Sequence, residues 1–243
     1  MKTMRKIFAI LIAILAGTAA TASVAGSFSV TPVRLFFEQR DRAVAVTLTN
    51  EGDTEIALQA DINVWSQDAA GVDKLELTED LIVAPPSLKL APHARQVVRL
   101  ALVTPRDVSR QMTYRLIVRE VPEAVPQKET NVQLPIALVL SMPVFITPPT
   151  AKRQMNFSMT RSASRTLQVV TENTGAAYAQ LRDVELRRNG QTLARFEGSN
   201  YVLPGARKML ALKAEGSDVP AGDAELVVSF DDANPQTYRV TVP

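Results

Sequence analysis

The chain has no cysteine and only one histidine among its 243 residues. Without cysteine there are no disulfide bonds, cysteine-ligated zinc sites, iron–sulfur clusters or cysteine nucleophiles. One histidine excludes a metal site built from several histidines, and it restricts any Ser-His-Asp triad to His93. Glycine is also scarce, at 10 residues, and no glycine-rich phosphate-binding loop occurs. We therefore expect no bound metal, no cofactor and no enzymatic activity.

The remaining candidates for catalysis are weak. His93 lies in the sequence Ala-Pro-His-Ala, which is typical of an exposed turn before a strand, and no nucleophile-elbow motif accompanies it. The pair Asp231-Asp232 is interpreted as a hairpin turn rather than as metal ligands. A glycosidase that uses only carboxylates stays open at this point, because sequence spacing does not give the distance between two carboxylates.

Positive charge is concentrated at the N-terminus. Lys2, Arg5 and Lys6 fall within the first 25 residues, which contain no acid. Without this segment, 24 basic residues face 25 acidic ones, so the formal charge of +2 falls to about −1. The net charge of the remaining chain therefore gives no reason to expect nucleic acid as a partner.

The same N-terminal segment has the three parts of a secretory signal. A basic stretch is followed by an apolar run from Ile7, and then by small residues that offer cleavage after Ala22 or Ala25. We expect residues 1–25 to be a cleaved signal peptide and the mature protein to be exported. No later stretch reaches roughly 18 apolar residues, so no membrane insertion is expected after cleavage.

After this segment the chain has no long hydrophobic runs. Apolar and polar residues alternate instead in short segments. Short alternating segments separated by turn sequences are typical of β-sandwiches. The alternating segments are 43–49, 55–64, 95–102, 114–119, 166–170, 224–230 and 237–242. We therefore predict an all-β protein made of two β-sandwiches. Trp65 and Tyr114 are expected in the core of the first.

A weak internal repeat supports two domains. The pattern that ends in Asn50-x-Gly52 is similar to the one that ends in Asn173-x-Gly175, and Pro-x-Ala-Arg at 92–95 recurs at 204–207. A proline-rich stretch separates the two copies, and prolines stiffen a linker. The predicted division is 1–25 signal peptide, 26–147 first domain, 148–152 linker and 153–243 second domain.

One predicted strand stands out by its uninterrupted alternation. Every second position carries a large aliphatic or methionine side chain: Val132, Leu134, Ile136, Leu138, Leu140 and Met142. An internal strand with one buried face would give the same pattern. Pro135, however, cannot donate a ladder hydrogen bond, which favours a position at a sheet edge. A long edge strand with large aliphatic side chains invites pairing with another chain.

Several segments of the first domain resemble the periplasmic pilus-assembly chaperones of the PapD-like family. The segments that carry the resemblance are Thr31–Arg34, Val83–Pro86, Leu90-x-Pro92, Gln96-x-x-Arg99-Leu100, Tyr114–Pro122 and Ile136–Leu138. The second domain resembles the family mainly in its length and strand pattern. The resemblance implies two immunoglobulin-like domains arranged as an L.

The resemblance also implies a mechanism and partners. Members of the family bind pilus subunits that lack one strand of their own sandwich. They lend their G1 strand to fill the gap, and then deliver the subunit to an outer-membrane usher. The alternating segment from Val132 to Met142 falls where the family has its donor strand. Self-association of the free protein through the same edge stays open.

The family anchors the terminal carboxylate of the subunit with basic residues in the cleft between the domains. Arg34, placed on the first strand, matches the first of these residues. The second is usually a lysine on the G1 strand, and that position holds Pro143 here. The sequence therefore resembles the divergent, archaic branch of the family. We expect Arg115, on the neighbouring strand, to replace the lysine, because an arginine can bind a carboxylate through two parallel hydrogen bonds.

The alternative hypothesis is a secreted immunoglobulin-like module that forms part of a surface fibre. Fibre subunits usually consist of one incomplete sandwich with an N-terminal extension. This chain is predicted to contain two complete sandwiches, which favours the chaperone.

Overall fold

The computed structural model describes residues 28–122, 137–162, 166–216, 218–231 and 234–243. These residues form β-strands joined by turns, and they contain no helix. Four sheets are arranged as two sandwiches, which confirms the predicted all-β fold with two immunoglobulin-like domains. No helix in the described ranges is long and apolar enough to cross a membrane. The predicted signal peptide lies outside the described residues.

The first sandwich has one sheet of four strands and one of six. In spatial order, the four-stranded sheet contains β1 (Phe28–Thr31), β3 (Ala43–Asn50), β8 (Arg95–Leu102) and β6 (Leu81–Ala84). The six-stranded sheet contains β2 (Leu35–Phe37), β10 (Val139–Ile146), β9 (Met112–Val121), β4 (Ile56–Gln67) and β5 (Asp73–Leu77), and β7 (Ser87–Leu90) pairs with β4. Strand β10 runs parallel to β2 and antiparallel to β9.

The second sandwich follows the same principle with three and five strands. Its smaller sheet contains β11 (Met155–Arg161), β12 (Leu167–Asn173) and β15 (Arg207–Ala211). Its larger sheet contains, in order, β16 (Lys213–Ala214), β14 (Gln191–Val202), β13 (Ala179–Arg188), β17 (Gly222–Phe230) and β18 (Gln236–Val242). The predicted linker, 148–152, falls between the end of β10 and the start of β11, and the residue limits of the domains stay a prediction.

The two-residue alternation of the sequence is the alternation of buried and exposed side chains. In β4, Leu58, Ala60 and Ile62 point into the first core, while the residues between them are only partly buried. Val98 and Leu100 of β8 face them from the opposite sheet with no exposed surface. Burial of each such aliphatic side chain is worth about 1.5–3 kcal/mol, so these positions determine which face of each strand turns inward.

A buried asparagine closes one end of the first sandwich. Asn50, at the end of β3, has no exposed surface. Its Nδ2 group donates hydrogen bonds to the carbonyls of Thr54 (2.8 Å), Leu90 (3.1 Å) and Ala91 (3.0 Å). Its Oδ1 atom accepts a hydrogen bond from the Gly52 amide at 2.9 Å. One side chain thus satisfies the backbone of two neighbouring loops.

The second sandwich has the same device. Asn173, at the end of β12, is fully buried, and its Nδ2 group donates to the carbonyls of Ala177 (2.8 Å) and Val202 (3.0 Å). Its Oδ1 atom accepts from the Gly175 amide at 3.0 Å, as Asn50 does in the first sandwich. The correspondence gives the Asn-x-Gly repeat a structural meaning.

The two large aromatic residues of the first domain occupy different cores. Tyr114 packs in the first core as expected, and its hydroxyl donates to Asp80 at 2.9 Å. Trp65 is also buried, but it packs with Phe145 in the cluster that belongs to the second sandwich. The expectation that Trp65 lies in the core of the first domain is therefore wrong. Its ring lies on the outer face of the six-stranded sheet and is covered by the second domain.

Candidate functional site

The two predicted anchor arginines meet in the cleft between the sandwiches. Arg34 lies in the connection between β1 and β2, rather than on the first strand as expected, and Arg115 lies in β9. Both guanidinium groups interact electrostatically with Tyr201 of β14, in the second domain. Burial raises the pKa of the Tyr201 hydroxyl, and the positive charges of the two arginines oppose that rise. The structure therefore brings both arginines to the same tyrosine.

Arg34 is held by polar groups of the second domain. Its Nη1 atom donates to Oδ2 of Asp231 at 2.8 Å and to Oε1 of Gln180 at 3.0 Å. The hydroxyl of Tyr178 donates to the same Asp231 oxygen at 2.9 Å. Burial lowers the pKa of Arg34, but the hydrogen bond and charge of Asp231, with the two tyrosines, outweigh it, so the pKa is raised. Arg34 therefore stays positively charged.

Arg34 keeps the capacity to bind a further anion. A guanidinium group carries five N–H donors, and the two on Nη1 are directed at the second domain. About a third of the side chain is exposed, at 32%, whereas that of Asp231 is only 8% exposed. A further hydrogen bond goes to the Tyr201 hydroxyl. The donors that remain are suited to a carboxylate that enters the cleft.

Arg115 is held by aromatic rings instead of by a carboxylate. Its Cζ atom lies 3.8 Å from the centre of the Trp65 ring and 5.5 Å from that of Tyr201. It forms no ion pair with any carboxylate of the described ranges, and burial lowers its pKa, with partial compensation from Tyr201 and Asp73. A partly buried cation without a carboxylate partner is a favourable site for an incoming anion.

The strand register places Arg115 beside the position where the family usually has its lysine. Pro143 of β10 is directly opposite Arg115 of β9. Residues opposite each other in an antiparallel pair project from the same face, with Cβ atoms about 5 Å apart. The guanidinium group of Arg115 therefore rises from the same patch of the sheet as a side chain at position 143.

Strand β10 has an open edge next to this patch. Strand β2 pairs with β10 only over Val144–Ile146, whereas β9 pairs with it from Val139 onward. From Val139 to Pro143, the other edge of β10 has no strand partner within the described ranges. Pro135 itself lies outside the described residues. The segment that follows it, from Val139 to Pro143, lies at a sheet edge.

The predicted donor residues divide into three groups. Val132, Leu134 and Ile136 lie outside the described residues. Leu138 and Leu140 are half-buried against the first core, and Met142 is buried within it, at 4% exposure. For this last group, the pattern reflects a strand with one face on its own core, which is the alternative noted for the sequence. Met142 is thus not accessible to a partner unless it leaves that core.

The comparison with protein families decides the identity of the chain. The family model of the pili and flagellar-assembly chaperones, PapD N-terminal domain, matches residues 27–152. The chain belongs to this family. Its members are pilus-assembly chaperones and not enzymes, which confirms the expectation of a non-enzymatic protein. Chaperones of the chaperone–usher pathways are periplasmic as a family.

A curated relative agrees with the assignment of the chain to this family. The probable fimbrial chaperone LpfB of Escherichia coli O157:H7 is 27% identical over 126 residues. That match covers 51% of each protein, so the chain spans about half the length of the curated relative it matches.

Two solved structures share the fold at low identity. The CsuC–CsuE chaperone–tip adhesion subunit complex of Acinetobacter baumannii, from archaic Csu pili, matches with a TM-score of 0.65 at 20% identity. The match covers 90% of this chain and 100% of the other. The SafA pilin–SafB chaperone complex of Salmonella enterica matches with a TM-score of 0.60 at 17% identity, over 91% of this chain and 99% of the other.

Sequence reasoning missed the part of the site contributed by the second domain. Asp231 was interpreted only as part of a hairpin turn. It does lie in the turn between β17 and β18, and it also pairs with Arg34, 197 positions earlier in the chain. Tyr178 and Gln180 had no local signal, since their role depends on how the two domains meet.

The other candidate residues of the sequence take no part in the cleft. His93 lies in the turn between β7 and β8 with 66% of its side chain exposed, 3.1 Å from Oδ1 of Asp53. The predicted exposed turn is confirmed. Within the described ranges, no three residues of the histidine, cysteine or acidic types are grouped so as to hold a metal ion.

Proposed function

We propose that this chaperone captures pilus subunits in the periplasm by donor-strand complementation and delivers them to an outer-membrane usher. The observation that carries the proposal is the open edge of β10, from Val139 to Pro143, beside the two cleft arginines. An incomplete subunit would pair its own edge with this backbone, and its terminal carboxylate would bind Arg34 and Arg115. Ladder hydrogen bonds provide affinity, and the alternating side chains provide the register.

The apolar contribution comes from the N-terminal part of the donor segment. Leu138 and Leu140 are half-buried already, so they gain less from a partner than fully exposed side chains would. Each aliphatic side chain that becomes fully buried contributes about 1.5–3 kcal/mol before the cost of association. We therefore assign the main apolar contribution to Val132, Leu134 and Ile136, and the main-chain pairing to the open edge that follows.

The carboxylate anchor is supported by three features of the cleft. Arg34 has donors left over after its bonds to the second domain. Arg115 has no carboxylate partner in the described ranges and rises beside Pro143. Tyr201 lies near both guanidinium groups, which supports a shared patch. Two arginines around a single carboxylate give directional, charge-assisted hydrogen bonds.

The first experiment tests the anchor. The full chain, tagged at its C-terminus, is co-expressed with the secreted proteins encoded by neighbouring genes, and the complex is recovered from the periplasm. We expect Arg34→Ala to reduce the amount of recovered subunit about tenfold or more. Removal of one partner of a buried, hydrogen-bonded charge pair costs roughly 2–5 kcal/mol of binding free energy. Arg99→Ala, at an exposed position of β8, is the matched control. Equal recovery with Arg34→Ala and with the control would refute the anchor.

The second experiment tests strand donation by its facial pattern. Leu138→Glu places a charge on the donor face, whereas Ala137→Glu places the same charge on the exposed opposite face. We expect the first variant to abolish the complex and the second to preserve it. Circular dichroism checks that both variants are folded. A folded Leu138→Glu chaperone with normal subunit yield would show that this face does not enter the subunit.

A further inference from the structure

The hairpin formed by β4 and β5 reaches from the first domain to the second. Asp68 stabilises its turn, because Oδ1 accepts hydrogen bonds from the amides of Ala70 (2.9 Å) and Val72 (3.0 Å). These bonds lower the pKa of Asp68. A turn held by a charged acceptor has little freedom to yield, so the tip of the hairpin is a firm point of contact.

Gly71, at the tip, touches the backbone of β15 in the second domain. It is buried and has φ of +79°. A Cβ atom at this position would lie 2.4 Å from Cγ of Lys208 and 2.5 Å from the carbonyl oxygen of Arg207. Ordinary contacts of a Cβ atom begin at about 3.4 Å. Any side chain here would therefore have to push the two domains apart by about 1 Å.

The base of the hairpin is tied to the second domain by polar contacts. The side-chain amide of Gln67 donates to the carbonyl of Tyr201 at 3.0 Å and accepts from the amide of Leu203 at 3.0 Å. Two bonds of this kind mimic one rung of a β-ladder across the domain boundary. Asp73, at the start of β5, forms an ion pair with Lys208 at 3.7 Å.

The same hairpin carries part of the cleft. Trp65 lies two residues before Gln67 on β4, and its ring meets that of Tyr201 edge-on, with 5.1 Å between centroids. Arg115, on the neighbouring strand β9 of the same sheet, stacks on the ring of this tryptophan. A displacement of the hairpin therefore changes the relation between Trp65 and Tyr201, and with it the surroundings of the Arg115 guanidinium group.

We propose that the β4–β5 hairpin is a strut that sets the spacing of the two domains and thereby positions Arg115 for a carboxylate. Gly71 and Gln67 are its points of contact and act as positioning residues, since neither reaches the anion. The effect of the strut on subunit capture rests on the proposed function. Its effect on domain spacing does not.

The experiment compares two glycines with the same backbone φ. Gly71→Ala introduces a Cβ atom into the domain contact, whereas Gly190→Ala, also at φ +79°, introduces one into open space. Both substitutions place an alanine at a positive φ, so both carry backbone strain of the same kind. The chain has no native cysteine, so Gln96→Cys and Asn156→Cys at exposed positions of the two domains can be spin-labelled without competing sites. Pulsed electron paramagnetic resonance then measures the distance between the domains.

Trp65 is the only tryptophan of the chain and provides a second measurement. We expect Gly71→Ala to shift the interdomain distance and to expose Trp65 to acrylamide quenching, and Gly190→Ala to do neither. Subunit recovery with the co-expressed neighbouring secreted proteins should fall about tenfold for Gly71→Ala only, because a displacement of about 1 Å weakens the contacts of a preorganised site. Gln67→Ala removes the two polar bonds without a steric clash, and we expect it to broaden the distribution of interdomain distances. It serves as the test variant if Gly71→Ala does not fold.

The outcomes separate the strut from the proposed function. Unchanged distance and quenching in both Gly71→Ala and Gln67→Ala would overturn the strut. A changed distance with full subunit recovery would overturn the positioning role of the hairpin, whatever the result for Arg34→Ala. A changed distance together with reduced recovery, with the Gly190→Ala control unaffected, supports the proposal.

Discussion

Replacement of Asn50 by alanine is expected to destabilise the first sandwich through lost hydrogen bonds. The variant removes three bonds that Nδ2 donates to loop carbonyls, and one that Oδ1 accepts from Gly52. The three carbonyls are not equally affected. Thr54 lies in an exposed loop, where water can replace the amide. The carbonyl of Ala91 keeps a second bond from the Ala94 amide at 3.1 Å. The bond to the Leu90 carbonyl is buried, so water does not readily replace it.

The magnitude follows from this division. A buried carbonyl without a partner costs about 1–3 kcal/mol, and each exchangeable bond has a net value of about 0.5–1.5 kcal/mol. We therefore expect Asn50→Ala to lower the free energy of unfolding by about 2–4 kcal/mol. For a chain of this size, that corresponds to a decrease in melting temperature of roughly 5–15 °C.

Urea unfolding followed by circular dichroism measures the loss, with Asn156→Ala at an exposed position of β11 as the matched control. Asn50→Asp provides a sharper test, because a carboxylate has nearly the same shape but cannot donate to the three carbonyls. It should be at least as destabilising as alanine. A loss below about 0.5 kcal/mol for Asn50→Ala, or normal stability of Asn50→Asp, would refute the hydrogen-bond argument.

Two further predictions concern charge. Arg115→Lys keeps the positive charge but loses the planar group that stacks on Trp65 and can bind a carboxylate through two hydrogen bonds. Subunit recovery should therefore fall several-fold. The control Arg119→Lys, on the same strand, should leave recovery unchanged. Burial and the neighbouring Glu185 raise the pKa of Asp183, so the folded chain binds its proton more tightly than the unfolded chain. The charged carboxylate therefore costs stability at neutral pH, and that cost disappears as the pH falls below the ordinary pKa of aspartate. Asp183→Asn should stabilise the protein at pH 7 by about 0.5 kcal/mol or less and give no gain near pH 3, measured by urea unfolding; a loss of stability at pH 7 would contradict the assignment.

Local patterns were sufficient to predict several strands of each sandwich, but strands such as β13 and β14 were not predicted. The alternation of β4 and β8 reports which side chains face a core, and the Asn-x-Gly repeat marks a turn that the backbone needs in both sandwiches. Such patterns do not report which core a residue joins. Trp65 has the apolar ring of a core residue, but the strand face on which it lies is covered by the other domain.

The candidate site was only half predictable for the same reason. Arg34 and Arg115 were found by resemblance to a family whose motifs lie in the first domain. Asp231 interacts with Arg34 across most of the length of the chain, and contacts of this kind leave no periodic signal in a single sequence. The alternating residues around Leu140 show the opposite problem. Alternation predicts that they share one face, but not that part of this face packs on the chain's own core.

The placement of Trp65 and Phe145 has a consequence for how the two halves can be separated or exchanged. Phe145 is fully buried and stacks on Tyr178, with 4.1 Å between ring centroids and an angle of 10°. A first half cut at the linker would expose both rings to water, and such a patch favours aggregation. A chimera with the second half of a relative would keep its cleft only if that half supplied matching rings in place of Tyr178 and Tyr201. The two sandwiches are therefore expected to be inherited as a pair and to unfold together.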